Sequence, residues 1–252
     1  VQCNAREPLR MRAFVSSHLF VSHSFMGSPS KNCRLRCSNV HAMHEDKHGR
    51  MLSHSGWLVR RMRSNQAEIR EVAHIQAEAF HTPVALFDNM FFEFFKAEVL
   101  SGLLYKLRNS SPDRYACLVA ETETGELFSA TKRLVGVVDV TALRDEDVLR
   151  HLPGADEFLY VSGIAVSKEF RRKKVGSALL KACDVMSDMW GHEYVVLRVY
   201  ENDLAAQKLY SNAGYRMVAV DPLWIRLLLR RRRVLMIKCR CSSQSVTSGV
   251  FS

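Results

Sequence analysis

The chain has 252 residues with 47% hydrophobic and 25% charged side chains, the composition of a globular protein able to bury one sizeable core. No apolar run approaches the ~20 residues that cross a bilayer as a helix, so no membrane span is expected. The formal net charge of +10 sits at the ends: residues 51–221 carry 21 Lys/Arg against 23 Asp/Glu, so a basic nucleic-acid-binding face across the folded centre is not supported.

Residues 9–44 contain Arg, Lys and many Ser but no Asp or Glu, and no long apolar stretch of the kind a secretory signal needs. This composition fits an organelle transit peptide over about residues 1–50, plastid first and mitochondrion second. The chain opens on Val1 and Met11 begins the transit-like stretch, so the first ten residues read as lying upstream of the start or as an incomplete gene model. Cys33, Cys37, His41 and His44 offer four zinc-ligand types as C-x3-C-x3-H-x2-H. That central spacing is too short for a ββα finger and no packable core flanks it, so the cysteines read as incidental and no metal is expected. Cys3, Cys117, Cys183, Cys239 and Cys241 form no disulfide framework, which suits a reducing compartment.

From Gly56 the pattern becomes that of a folded domain, read as residues 56–240 with a polar, disordered tail at 241–252. "WLVRRM" (57–62) predicts a first strand, and Ser64 a cap for a helix whose Ile69, Val72, Ala73, Gln76 and Phe80 recur at helical spacing. His81-Thr82-Pro83 breaks it. Residues 84–107 predict a second, aromatic helix with Phe87, Phe91, Phe94 and Phe95 on one face, read as core or as the wall of a substrate groove. Strands follow at 115–122, 133–143 and 157–166, with a turn at Thr124-Gly125 and an acidic loop holding Pro153-Gly154. A helix then carries Ala178, Leu179, Ala182, Cys183, Met186 and Met189 as an apolar stripe. A buried strand at 193–200, a short helix at 203–214 closed by Gly214, and strands in "YRMVAV" and "RRVLMIK" complete the chain. This order implies a mixed sheet with one parallel crossover.

The chemistry concentrates in "RRKKVGSALL" (171–180), which follows a strand and opens a helix. Backbone N–H groups converging at a helix N-terminus form an anion seat. Gly176 keeps a side chain away from an approaching phosphate, and Arg171, Arg172 and Lys173 add charge. The dinucleotide G-x-G-x-x-G and the P-loop are both absent.

"YVSGIAVSKEFRRKKVGSALL" (160–180) and "LRVYENDLAAQKLYSNAGY" (197–215) resemble, in the right order, the two signatures of the GCN5-related N-acetyltransferases, with the plastid acetyltransferases of plants the most similar-looking branch. The resemblance covers roughly residues 56–240. It implies an α/β fold with a mixed, mostly antiparallel sheet of about seven strands flanked by helices and splayed at an acetyl-CoA site. It implies acetyl-CoA as co-substrate, without a metal, and protein or peptide amines as acceptors (N-terminal α-amines, lysine ε-amines or both). A small-amine acetyltransferase and a non-catalytic CoA-binding module are the alternatives. A monomer that binds neither nucleic acid nor membrane completes the reading. In the loop pattern Gln/Arg-x-x-Gly-x-Gly/Ala, Arg171 takes the first position and Gly176 the last, while Lys174 stands where the family usually has glycine.

By the same resemblance, backbone groups of Ile164, Ala165 and Val166 pair with pantetheine, and an N–H there meets the developing oxyanion. Residues 171–177 (Arg171, Arg172, Lys173, Lys174, Val175, Gly176 and Ser177) seat the pyrophosphate. Asn202 or Asp203 contacts pantetheine. Tyr210 matches the tyrosine near the CoA sulfur and is the expected general acid. Tyr160, eleven residues before Arg171, is a candidate base, and Glu157 a nearby carboxylate able to act through water. A phenol with a pKa near 10 is a weak base, and Arg198 stands where one branch of the family has a partnering histidine.

Overall fold

The computed structural model describes residues 50–81, 88–122, 133–223 and 231–240. The leader with its Cys33, Cys37, His41 and His44 cluster, the Thr124-Gly125 turn, Phe87 and the 241–252 tail lie outside the described residues. No helix among the described residues is long and apolar enough to cross a membrane, and no group of His, Cys, Asp or Glu among them is arranged to hold a metal.

The sheet starts earlier than the sequence predicts. Strand β1 (Arg50–His54) pairs antiparallel with β2 (Trp57–Arg61) around Ser55-Gly56. Both turn residues have positive φ, 54° and 78°, which a two-residue hairpin demands. Helix α1 (Gln66–Phe80) is capped by Asn65, not Ser64: its side chain accepts from the Glu68 N–H at 2.8 Å. Ile69, Val72, Ala73 and Gln76 are buried, as their spacing predicts. Helix α2 (Asp88–Asn109) does not carry the predicted phenylalanine face. Phe95 is buried but Phe94 is 64% exposed, because neighbours on a helix lie about 100° apart.

Strands β3 (Tyr115–Thr122), β4 (Leu134–Leu143) and β5 (Phe158–Val166) form the antiparallel centre, with a short helix α3 (Glu146–Leu149) in the acidic loop before β5. A 3-10 turn at Lys168–Phe170 leads into helix α4 (Val175–Trp190), which crosses to β6 (Tyr194–Tyr200), parallel to β5. Helix α5 (Leu204–Asn212), β7 (Arg216–Val220) and β8 (Arg233–Cys239) follow. The eight strands lie in the order β1-β2-β3-β4-β5-β6-β8-β7, against about seven predicted.

Alternate strand residues pack on opposite faces. On one face, Leu118, Val138, Leu159 and Val161 meet the α4 stripe of Ala178, Leu179, Ala182, Cys183 and Met186. Met189 leaves that stripe: it is 44% exposed in the last turn of the helix. On the other face Cys117, Val119 and Val137 meet Ile69, Val72 and Leu103 of α1 and α2. Arg60, 4% exposed, bridges the carboxylates of Glu68 at 2.7 Å and Glu121 at 3.1 Å, tying β2, α1 and β3 together.

Candidate functional site

Two irregularities open the sheet where the site was expected. Strand β5 pairs with β6 only through Leu159↔Val195, Tyr160↔Val196 and Val161↔Leu197, although β5 runs on to Val166 and β6 to Tyr200. The paired strands therefore part beyond Val161 and Leu197, and the parting exposes backbone groups. On its other edge β5 pairs with β4 through Asp139↔Ser162 and then Val137↔Ala165, so Gly163 and Ile164 stand opposite the single Val138. This is a β-bulge, which re-aims the strand next to the opening. Ile164 and Val166 are half-buried there and Ala165 is buried.

Immediately beyond β5 comes the basic loop. Arg172 and Lys174 both adopt left-handed conformations, with φ of 63° and 65°. Lys174 is the N-cap of α4, yet no side chain caps the helix, and the first carbonyl bond runs from the Ala178 N–H to the Lys174 oxygen. The N–H groups of Val175, Gly176 and Ser177 therefore have no acceptor within the helix. A left-handed turn that gathers such groups is an anion nest. Position 174 is thus one that glycine would occupy without the cost of a Cβ.

Gly176 has a second reason to be glycine. A Cβ there would stand 3.1 Å from Leu209 Cδ2, so this residue lets α5 approach α4. The cations divide. Arg171 donates from Nε to the Val166 oxygen at 3.2 Å, and Lys173 lies with its ammonium 5.2 Å over the Phe170 ring. All four side chains are exposed. The sequence reading missed what anchors the loop: Trp57 Nε1 donates to the Lys173 oxygen at 2.7 Å, and its ring meets Phe170 edge-on at 5.8 Å.

Helix α5 starts after Asp203, whose carboxylate caps it by accepting from the Ala206 N–H at 2.9 Å. Asp203 is thus engaged by its own helix, and Asn202 beside it is exposed. Tyr210, 6% exposed, reaches the core between α4 and the sheet, its ring 6.0 Å from that of Tyr215. Burial pushes its phenol well above the ordinary tyrosine value, and the negative charge of Asp203 pushes the same way. Tyr210 stays protonated across the physiological range, as a proton donor must.

Tyr160 packs on the opposite face with Leu149 and Phe158. Burial raises its phenol as well, Arg198 and Arg233 oppose the shift, and Asp145 and Asp221 reinforce it. A phenol so raised is not a base near neutral pH. Glu157 is held by Arg114 in a two-pronged pair, at 2.9 and 3.2 Å. It stands four residues before Val161, about 13 Å along the strand from the opening. The structure does not bring Glu157 to the site.

The acetyltransferase (GNAT) family model matches residues 83–215, a span containing the bulge, the basic loop and Tyr210. The chain is 60% identical over 192 residues to GCN5-related N-acetyltransferase 10, chloroplastic, of Arabidopsis thaliana, covering 75% of this chain and 74% of that protein. Among solved structures it is similar to PH1933 from Pyrococcus horikoshii, with a TM-score of 0.52, 16% identity, and coverage of 74% of this chain and 99% of that one. It is similar also to a GNAT-family structure from Desulfovibrio desulfuricans, with a TM-score of 0.53, 13% identity, and coverage of 73% and 99%. These two likenesses speak for the fold alone. The sequence match and the family model settle the assignment: this chain belongs to the GCN5-related N-acetyltransferase (GNAT) family of acyltransferases.

Proposed function

We propose that this acetyltransferase takes acetyl-CoA in the gap between β5 and β6 and acetylates amines of proteins or peptides in the plastid. The observation that carries the acetyl-CoA site is the succession of a parted strand pair and an uncapped helix N-terminus in a left-handed nest. The gap accommodates the pantetheine arm along Ile164, Ala165 and Val166. The Val175, Gly176 and Ser177 N–H groups receive the pyrophosphate, with Arg172 and Lys174 as the nearby exposed cations. The chloroplastic relative supports the plastid location.

Acceptor recognition is assigned to the other face, around Tyr160. Two ion pairs act on that phenol, Arg198 with Asp145 at 3.9 Å and Arg233 with Asp221 at 3.0 Å. Such a rim suits a peptide amine: the Asp145 carboxylate, loosely paired and 46% exposed, attracts an incoming ammonium, and the Arg198 guanidinium can donate to a peptide carbonyl. The ammonium loses its proton through water, and Tyr160 serves as a neutral hydrogen-bonding group. The amine lone pair attacks the thioester carbonyl, the nitrogen of the tetrahedral adduct releases a proton to water, and the C–S bond breaks as the carbonyl re-forms. Tyr210 then gives its proton to the departing thiolate and regains one from solvent.

The test is incubation of the protein with acetyl-CoA and a proteome-derived peptide pool, followed by mass spectrometry. Acetylated α-amines or lysines are the expected result. A thermal shift with acetyl-CoA but no acetylated peptide would reject protein acceptors, and no thermal shift would reject the acetyl-CoA site.

A further inference from the structure

A buried polar cluster lies under the β5 bulge. Asp139 of β4 is 3% exposed. Its Oδ1 accepts from the Tyr115 phenol at 2.7 Å, and its Oδ2 accepts from Gln76 Nε2 at 3.2 Å and from Lys106 Nζ at 3.4 Å. An unpaired carboxylate here would be costly, and the three donors arrive from β3, α1 and α2 to satisfy it. The carboxylate also decides how the Gln76 amide lies, because its oxygen would be repelled and its NH₂ is attracted. The same Nε2 reaches the Gly163 carbonyl oxygen at 3.3 Å.

Gly163 is the bulged residue, with φ of 60°. A Cβ there would lie 2.7 Å from Gln76 Nε2 and 2.9 Å from Asp139 Oδ2, so the polar pair is pressed directly against the backbone. All described peptide bonds are trans. In a trans peptide the N–H points opposite to the C=O. With the Gly163 carbonyl turned toward Gln76 on α1, the Ile164 N–H is turned away from α1.

We propose that Gln76, oriented by Asp139, is a positioning residue that sets the Gly163–Ile164 peptide so that the Ile164 N–H addresses the thioester oxygen of acetyl-CoA. Neither side chain touches the substrate. Without the Gln76 amide the carbonyl is free to rotate, and the N–H rotates with it. A preorganised N–H of this kind stabilises the oxyanion as it forms, and losing one such donor costs roughly 100- to 1,000-fold in turnover in other enzymes. The proposal rests on the acetyl-CoA reading of the gap.

The test uses acetyl-CoA with a ¹³C thioester carbonyl, bound to the wild-type chain, Gln76→Met and Gln76→Leu, and followed by vibrational difference spectroscopy. CoA affinity is measured alongside by calorimetry. The wild type is expected to lower the carbonyl stretching frequency relative to water. The variants are expected to lose most of that shift, bind CoA within about threefold of wild type, and lose roughly 10- to 100-fold in kcat with KM for acetyl-CoA little changed. An unchanged carbonyl frequency in either folded variant overturns the proposal. A wild-type arm needs no variant: with ¹⁵N-isoleucine labelling, the Ile164 amide proton is expected to move farther downfield with acetyl-CoA than with CoA. Equal shifts overturn the proposal. Absence of any acetyl-CoA binding by the wild type instead removes the acetyl-CoA reading, and this proposal with it.

Discussion

Trp57 donates its indole N–H to the carbonyl of Lys173, 116 residues away, at 2.7 Å. One bond thereby ties the β1–β2 hairpin to the loop that opens α4. The Trp57 ring also supports Phe170, whose face carries the Lys173 ammonium and, 5.5 Å away, the Arg133 guanidinium. The loop holds two non-glycine residues in left-handed conformations, so an external anchor offsets part of its strain.

Replacing Trp57 by Phe keeps a ring against Phe170 and removes the donor. The lost hydrogen bond is worth about 1 kcal/mol, and part of that appears as looser definition of the anion nest. CoA affinity measured by calorimetry should fall about two- to fivefold while the sheet remains folded. Unchanged affinity would show that Lys173 holds its position without the indole.

Lys174 tests the loop from the other side. A left-handed residue with a Cβ costs about 1–2 kcal/mol, and glycine restores roughly 0.4–1 kcal/mol of unfolded-chain entropy as an opposing cost. Lys174→Gly should therefore leave Tm unchanged or raise it by about 1–3 °C and leave CoA affinity equal or higher. Lys174→Val, β-branched at φ of 65°, should lower both. A large loss of CoA affinity in the glycine variant would show that the lysine ammonium, not the backbone nest, carries the phosphate contact.

Much of this architecture was legible in the sequence, and the failures have physical causes. The succession of central strands, the parallel crossover through α4 and the loop at 171–176 are local patterns of periodicity, and the structure has them. β1 was missed because "RMLSH" carries little apolar alternation. Asn65 displaced Ser64 as the cap because both residue types can accept, and only the path of the chain decides which reaches the Glu68 N–H. Trp57–Lys173 is a pairing across 116 residues that no local signal reports. The Asp139 cluster did leave a trace: an aspartate inside the valine-rich run 134–143, and a glutamine on the apolar stripe of α1. A polar residue at a buried position asks for partners, and here they meet each other.

Four buried tyrosines set the alkaline limit of stability. The phenols of Tyr115, Tyr160, Tyr210 and Tyr215 are all raised, in each case chiefly by burial. A folded-state pKa above the unfolded value of about 10 gives stability that is intact below pH ~10. It is lost as pH rises beyond that point, because the unfolded chain releases protons that the folded one retains. Tm should hold between pH 7 and 9 and fall steeply from pH 10 to 11. The Tyr215 hydroxyl is also buried without a hydrogen-bond partner. Tyr215→Phe should raise Tm by about 2–4 °C near pH 7, the return of roughly 1 kcal/mol of desolvation, and should flatten the alkaline fall. A lower Tm in this variant would mean that an ordered water satisfies the hydroxyl.

Tyr210 is the sharpest test of the chemistry. Burial keeps its phenol protonated across the physiological range, so a proton is on hand when the thiolate departs. Tyr210→Phe preserves the ring that packs against Tyr215 and Cys183 in the core. The variant should keep the thermal shift that acetyl-CoA produces and lose about 100-fold or more in kcat, the usual scale for a missing general acid. The pH profile gives an independent reading. If Tyr210 is the acid, the wild-type kcat should show no descending limb below pH 10 that the phenylalanine variant removes. A limb near pH 8 that disappears with Tyr210 would show the phenol acting as the acid while ionising far below the range its burial imposes, whereas an unchanged kcat in Tyr210→Phe would pass the donor role to water.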